Sequence, residues 1–198
     1  MSHLLRRLFA WSLIAGACIA CTWALAAEHR TIGQITGTLN GEAKVWHLIY
    51  SDDDASHSAL SVQLDGEEPM TILGGYESLD VEFGRDANGF PAASGPGSML
   101  IINFRIPNGA DGVTHHLEQQ GVESAGVIYL PEVGDFGGMY AMEKGAVEIA
   151  RVDMPVDVGE KFSGSFSGTF ASMDAAGRSI EIIDGHFEVE GTRPITQP

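Results

Sequence analysis

Asp52, Asp53 and Asp54 stand in succession in "SDDDASHS" (51–58), with His57 three residues further on. A second acidic loop, "RDANGF" (85–90), sets Asp86 and Asn88 two apart ahead of Gly89. Hard oxygen donors crowded onto a short loop suit Ca²⁺. Neither loop has the twelve-residue ligand spacing that closes on a glutamate, so solvated acidic loops are the plainer reading. Calcium is the ion these five residues would take, and the sequence requires no cofactor. Carboxylates could also work in pairs, since glycoside hydrolysis needs two of them roughly 5 to 10 Å apart. With 27 Asp and Glu in the chain, the sequence does not choose such a pair.

Nucleophile and metal motifs are weaker still. "GSFSG" (164–168) has the outline of Gly-x-Ser-x-Gly, but Phe166 holds the central position, and the stretch lies within a strand pattern instead of a strand-to-helix turn. Outside the first 26 residues the histidines are His29, His47, His57, His115, His116 and His186. None has the spacing of a zinc site, and on an extended chain His115 and His116 point to opposite sides. Aromatic residues offer a different chemistry, the stacking of a flat or sugar ligand. Trp46, Tyr76, Tyr129 and Tyr140 are the candidates for that contact. Trp46, on a strand apolar on both faces, reads more readily as a core anchor than as a stacking surface, whereas the three tyrosines lie near glycine-rich turns.

The elements that must carry these residues begin after residue 26. Arg6 and Arg7 precede the uninterrupted run "LFAWSLIAGACIACTWALA" (8–26), which closes on the small-x-small triplet Ala24-Leu25-Ala26. That is the form of a cleaved export signal, so residues 1–26 are expected to be a signal peptide and 27–198 a single domain, periplasmic or secreted. Arg6-Arg7-Leu8-Phe9 partly matches the twin-arginine pattern. Both cysteines, Cys18 and Cys21, fall inside the leader, and neither has a leucine three residues before it, as lipid attachment would want. The formal net charge is −16. Loss of Arg6 and Arg7 takes it to −18, with nine basic residues against 27 acidic ones. Such a charge repels nucleic acid and anionic lipid head groups, which leaves an unknown protein or a carbohydrate as partner. No second apolar run is long enough for a membrane helix.

From Thr31 onward the hydrophobic period is two. "ALSVQLD" (59–65) and "SLDVEFG" (78–84) alternate apolar with polar, as half-buried strands do. "VWHLIY" (45–50) and "MLIINFRI" (99–106) are apolar on both faces, as strands covered on both sides are. About ten to twelve strands are expected. Asn40-Gly41 is a strong two-residue hairpin signal, "DAAGR" (174–178) is a second turn, and "GRDANGFPAASGPG" (84–97) reads as a long surface loop. Within "SIEIIDGHFEVEG" the apolar phase moves from Ile180 and Ile182 to Phe187 and Val189, which predicts a β-bulge near Asp184-Gly185. "GVTHHLEQQGVES" is the best helical candidate, for one turn at most.

One face of "KFSGSFSGTF" (161–170) alternates Phe162, Gly164, Phe166, Gly168 and Phe170. Rings packed over the glycines would make this a core wall; slots between the rings would make it a ligand platform. The wall is the expectation. "GSFSGTF" followed by "IEIIDGHFEVEG" resembles the closing hairpin of uncharacterised exported bacterial β-rich proteins, many of them lipoproteins, with a G-x-F-x-G then D-G-x-F pattern. The resemblance covers Gly164 to Gly191 and implies an exported all-β protein. The expected fold is an antiparallel, jelly-roll-like β-sandwich, with a closed calycin-like β-barrel as the alternative. The expected function is a non-catalytic binding or accessory module. The rivals are a small carbohydrate-active enzyme and a lipocalin-like carrier with the Phe162-Phe166-Phe170 face lining a cavity.

Overall fold

The computed structural model describes residues 30–50, 59–62, 70–85, 87, 91–105, 113–117, 125–149, 161–174 and 177–190. Twelve strands run in chain order: β1 (Arg30–Leu39), β2 (Glu42–Tyr50), β3 (Ala59–Val62), β4 (Met70–Tyr76), β5 (Glu82–Arg85) and β6 (Pro91–Ser94). They continue as β7 (Met99–Arg105), β8 (Val113–Leu117), β9 (Ala125–Leu130), β10 (Tyr140–Ile149), β11 (Lys161–Ser172) and β12 (Ser179–Glu190). Among the described residues one 3₁₀ turn, Phe136–Gly138, lies between β9 and β10.

Eight of the strands close on themselves. The order is β1-β2-β4-β7-β9-β10-β11-β12, every neighbour antiparallel, with β12 pairing back to β1. The architecture is therefore a closed up-and-down barrel, the alternative to the sandwich that the sequence put first. Two seams are narrow. β2 meets β4 through only His47↔Tyr76 and Leu48↔Gly75, and β9 meets β10 through only Tyr140↔Tyr129 and Ala141↔Ile128. Beside each seam a short strand takes the vacated edge, β3 on β4 and β8 on β10. The two half-sheets of a sandwich are thus present, but they are sewn together at both corners. Closure gives each of the eight barrel strands a partner on both sides.

An eight-stranded barrel has an interior that side chains can fill. Ile35, Trp46, Leu48, Leu73, Leu100, Ile102, Phe104, Val127, Val147, Phe166, Phe170, Ile182, Phe187 and Val189 form one buried cluster there. The outer faces of β11 and β12 carry Ser163, Ser165, Ser167, Glu181, His186 and Glu188. On these two strands the inward face is apolar and the outward face is mostly polar, with Ile183 39% exposed among the polar residues of β12. No helix among the described residues is long and apolar enough to cross a membrane.

The two-sided apolarity of β2 and β7 has a specific cause. β5 and β6 form a hairpin (Glu82↔Ser94 to Arg85↔Pro91) where the sequence predicts a loop. It covers the outer wall, so that Ile49, Tyr76, Val81 and Val133, with Phe83, Ala93 and Met99, make a second core outside the barrel. Leu79, which the alternation would bury with Val81 and Phe83, lies in a bend and is 55% exposed. Of "GVTHHLEQQGVES", where one helical turn at most is expected, Val113–Leu117 form strand β8 paired with β10, and the remaining residues lie outside the described ones.

Local predictions elsewhere match. Asn40 and Gly41 have φ of 48° and 88°, positive at both positions, and close Leu39↔Glu42 as a two-residue turn. The bulge falls where the phase shift places it. Phe166 pairs with Gly185 and Gly168 with Ile182, so Ile183 and Asp184 together oppose Ser167. Asp184 has φ 52°. The phenylalanine face is a wall, with Phe166 and Phe170 at 2% and 0% exposure. The ring over Gly164 comes from the neighbouring strand β12, not from an opposing layer, and the space over Gly168 is taken by Met142 of β10. A Cβ added at Gly164 would lie 2.6 Å from Phe187 Cε1, and one at Gly185 would lie 2.6 Å from Phe166 Cε1.

Candidate functional site: the hairpin end of the barrel

One end of the barrel carries the β1–β2 turn, the exit of β4, the entry of β7, the β9–β10 connection and the β11–β12 turn. Here Lys44 stands two residues before Trp46 on the same face of β2, close to the β1–β2 turn. The register that pairs Tyr76 with Met99 carries Glu77 and Ser98 one step beyond the β4–β7 ladder, and Glu77 N–H donates to the Ser98 carbonyl at 2.9 Å. One oxygen of the Glu77 carboxylate, Oε2, accepts both the Ser98 N–H (3.0 Å) and the Ser98 hydroxyl (2.7 Å). Its other oxygen, Oε1, accepts from Lys44 Nζ at 2.9 Å. The Ser98 hydroxyl in turn accepts the Trp46 indole N–H at 2.9 Å.

A buried tryptophan needs an acceptor for its N–H, and Ser98 supplies it from a site 2% exposed. Tyr129 packs its ring edge-on to Trp46 at 6.3 Å, and its phenol also reaches the Ser98 side chain. Tyr140 continues the row, 6.3 Å from Tyr129. The charged pair therefore corks the apolar interior. The Lys44 and Ser98 hydrogen bonds hold the Glu77 carboxyl below the ordinary glutamate range, against the opposing effect of burial. Lys44 is held above the ordinary lysine range, chiefly by its hydrogen bond to Glu77.

These directions decide what the cluster can do. A general base or acid at neutral pH requires a carboxyl pushed up or an amine pushed down. Here both groups move the other way, each locked in its charged form by its partner. Ser98 has its proton committed to Glu77 and accepts the indole N–H, so no lone proton or exposed oxygen remains for attack. The arrangement is that of a satisfied structural network.

The stacking candidates divide between two places. Trp46, Tyr129 and Tyr140 come together inside the hairpin end, with Trp46 0% exposed. Tyr76 lies on the other side of the wall, under the β5–β6 hairpin and edge-on to Phe83 at 5.5 Å. Neither Trp46 nor Tyr76 presents a ring face to solvent; each is a core contact. Asp52, Asp53, Asp54, Asp86 and Asn88 lie outside the described residues. Among the described residues no three His, Cys, Asp or Glu side chains converge as a metal site. Lys44, Glu77 and Ser98 were not singled out from the sequence. The need of a buried indole for an acceptor was a usable signal, but nothing local said which hydroxyl would meet it.

The same end has a second feature. Leu79, Phe136 and Met173 are 55%, 58% and 62% exposed. Each sits on a different connection at this end: after β4, between β9 and β10, and after β11. No family model, no curated protein and no solved structure matches this chain.

Proposed function

We propose that the protein is an exported, non-catalytic binding or accessory module whose contact surface is the hairpin end of its barrel. The observation that carries the reading is the placing of Leu79, Phe136 and Met173, the most exposed large apolar side chains among the described residues, on three connections at one end of the barrel; Val45 and Ile183, on the strands, are less exposed at 41% and 39%. Large apolar side chains grouped in this way on a surface are characteristic of contact sites. The Lys44–Glu77–Ser98–Trp46 network supports the same reading from below, since it makes a rigid platform and holds its polar groups in mutual hydrogen bonds. The leader at residues 8–26 supports export, and the polar outer walls of β11 and β12 support a domain outside the bilayer.

The test is native mass spectrometry of the protein purified from the periplasm or medium of its own host. The expected outcome is a chain beginning at Ala27 that carries a discrete additional mass, and loss of that mass when Phe136 and Met173 are both changed to serine. A bare chain in every preparation, together with turnover of a glycoside or ester substrate, would sink the reading.

A further inference from the structure

We propose that the hairpin end docks a basic polypeptide, anchored on Phe136, Met139 and Met173; this names a partner class for the binding surface and rests on that reading. The anchor residues are held by backbone geometry. The Asp135 side chain accepts from Gly137 N at 2.9 Å, capping the 3₁₀ turn that presents Phe136. Met139, half-buried, ends that turn as its C-cap in an extended conformation. Met173 N donates to the Met139 carbonyl at 3.0 Å, tying the β11–β12 turn to the same place. An exposed phenylalanine flanked by adaptable methionines is a composition that interface centres favour.

The rim supplies the sign. Glu132 and Asp135 are exposed on the connection that carries Phe136. Asp80 is exposed between β4 and β5, and Glu82 is exposed at the start of β5. The β6–β7 connection lies between that segment and the Phe136 connection, since Gly97 accepts the Val133 N–H at 3.2 Å and a Cβ added at Gly95 would lie 2.6 Å from the Asp80 carbonyl oxygen. No ion pair joins any of these four carboxylates to a described residue. Two cations at this end of the barrel are engaged elsewhere: Lys44 by Glu77 at 2.9 Å, Arg178 by Asp174 at 2.7 Å. A second copy of this chain, at a formal −16, would set the same carboxylates against each other. Lysine- or arginine-bearing chain with apolar side chains between the charges complements both the anchors and the rim.

The probe is a short synthetic peptide alternating lysine with leucine, and its control is the same peptide with glutamate for lysine. Amide chemical shifts of the isotope-labelled mature protein report where each binds. The lysine peptide is expected to shift residues 132–139 and 173–178, and the glutamate peptide to shift none. F136S/M173S, which leaves every charge in place on exposed positions, is expected to weaken binding about tenfold or more, in keeping with the loss of interface anchors. Equal affinity for the variant, shifts confined to another face, or no binding overturns the proposal. So does a dimer by sedimentation that F136S disperses. A host partner with an acidic contact segment, found by native mass spectrometry, refutes the basic class while leaving the binding reading intact.

Discussion

The ring of Phe187 lies across Gly164, its direct cross-strand partner, and two residue pairs further along Phe166 lies across Gly185. Each aromatic ring folds over the one neighbour that has no side chain, so a large and an absent side chain share one space on the barrel's inner face. The G-x-F and D-G-x-F pattern of the closing hairpin is the sequence trace of this exchange. Phe187 also stacks on Phe104 at 5.9 Å and meets Phe162 at 6.4 Å, which joins the hairpin to the β7 side of the barrel.

Gly164→Ala should therefore destabilise the protein by about 1–3 kcal/mol, the usual cost of overfilling a packed core. The added methyl has to displace the Phe187 ring and the chain of β10 beside it. Gly84→Ala, on β5 where an added Cβ meets nothing within 4 Å, should leave stability nearly unchanged. Chemical denaturation of both variants checks the contrast. Equal effects would mean the ring moves aside freely.

Ser98→Ala should cost about 1–3 kcal/mol, the typical penalty for orphaning a buried donor. It removes the acceptor of the Trp46 N–H and one donor to Glu77. Because Trp46 is the only tryptophan outside the leader, its fluorescence reports the change directly. An unaltered emission maximum with unaltered stability would show that the network contributes nothing.

The Glu77 carboxyl is depressed in the folded protein, so its contribution is present above the unfolded glutamate value of about 4.5 and is lost as pH falls through the folded value. Stability should thus decline below about pH 4.5, and Glu77→Gln should flatten that part of the profile. The pair is partly exposed, so the effect at neutral pH should be about 1 kcal/mol or less. Thermal unfolding from pH 3 to 7 on both proteins makes the measurement.

Burial pushes the Tyr76 phenol up to about 12. A raised phenol contributes stability below the unfolded value near 10 and loses it as pH rises toward 12. Burial raises the Tyr129 phenol as well, so ultraviolet titration of tyrosinate should show more than one delayed ionisation, and Tyr76→Phe should remove the late group near 12. If the late group survives in that variant, Tyr76 is not the phenol responsible.

Asp184 occupies the left-handed region at φ 52° within the β12 bulge. Asp184→Gly should be neutral or stabilising by up to about 1 kcal/mol, because glycine adopts that conformation without a Cβ clash. Asp184→Val should cost about 1–2 kcal/mol. The opposite order in a denaturation series would contradict the assigned bulge.

Local rules were enough for the parts of this molecule whose causes are local. Asn40-Gly41 named its own turn, the even-to-odd phase change at Asp184-Gly185 named its bulge, and the Phe/Gly alternation of β11 named a packed wall. The β5–β6 hairpin was missed because Gly84 to Gly97 is rich in turn residues, and its covering role depends on Ile49 and Met99, far away in the chain. Leu79 was misplaced for the same reason, since alternation says which residues share a face but not where a strand begins.

Strand periodicity, turn chemistry and the acidic balance are properties of neighbouring residues, so the sequence by itself determined an all-β chain of about a dozen strands with a charge hostile to nucleic acid. Whether those strands made a sandwich or a barrel was decided by four residue pairs at two corners, His47–Tyr76, Leu48–Gly75, Tyr140–Tyr129 and Ala141–Ile128. The joining of Lys44, Trp46, Glu77 and Ser98 followed from that closure. Such contacts arise between segments that periodicity leaves independent of one another. Only the closed sheet sets their register, and with it the end of the barrel that is capped, acidic and apolar at its tip.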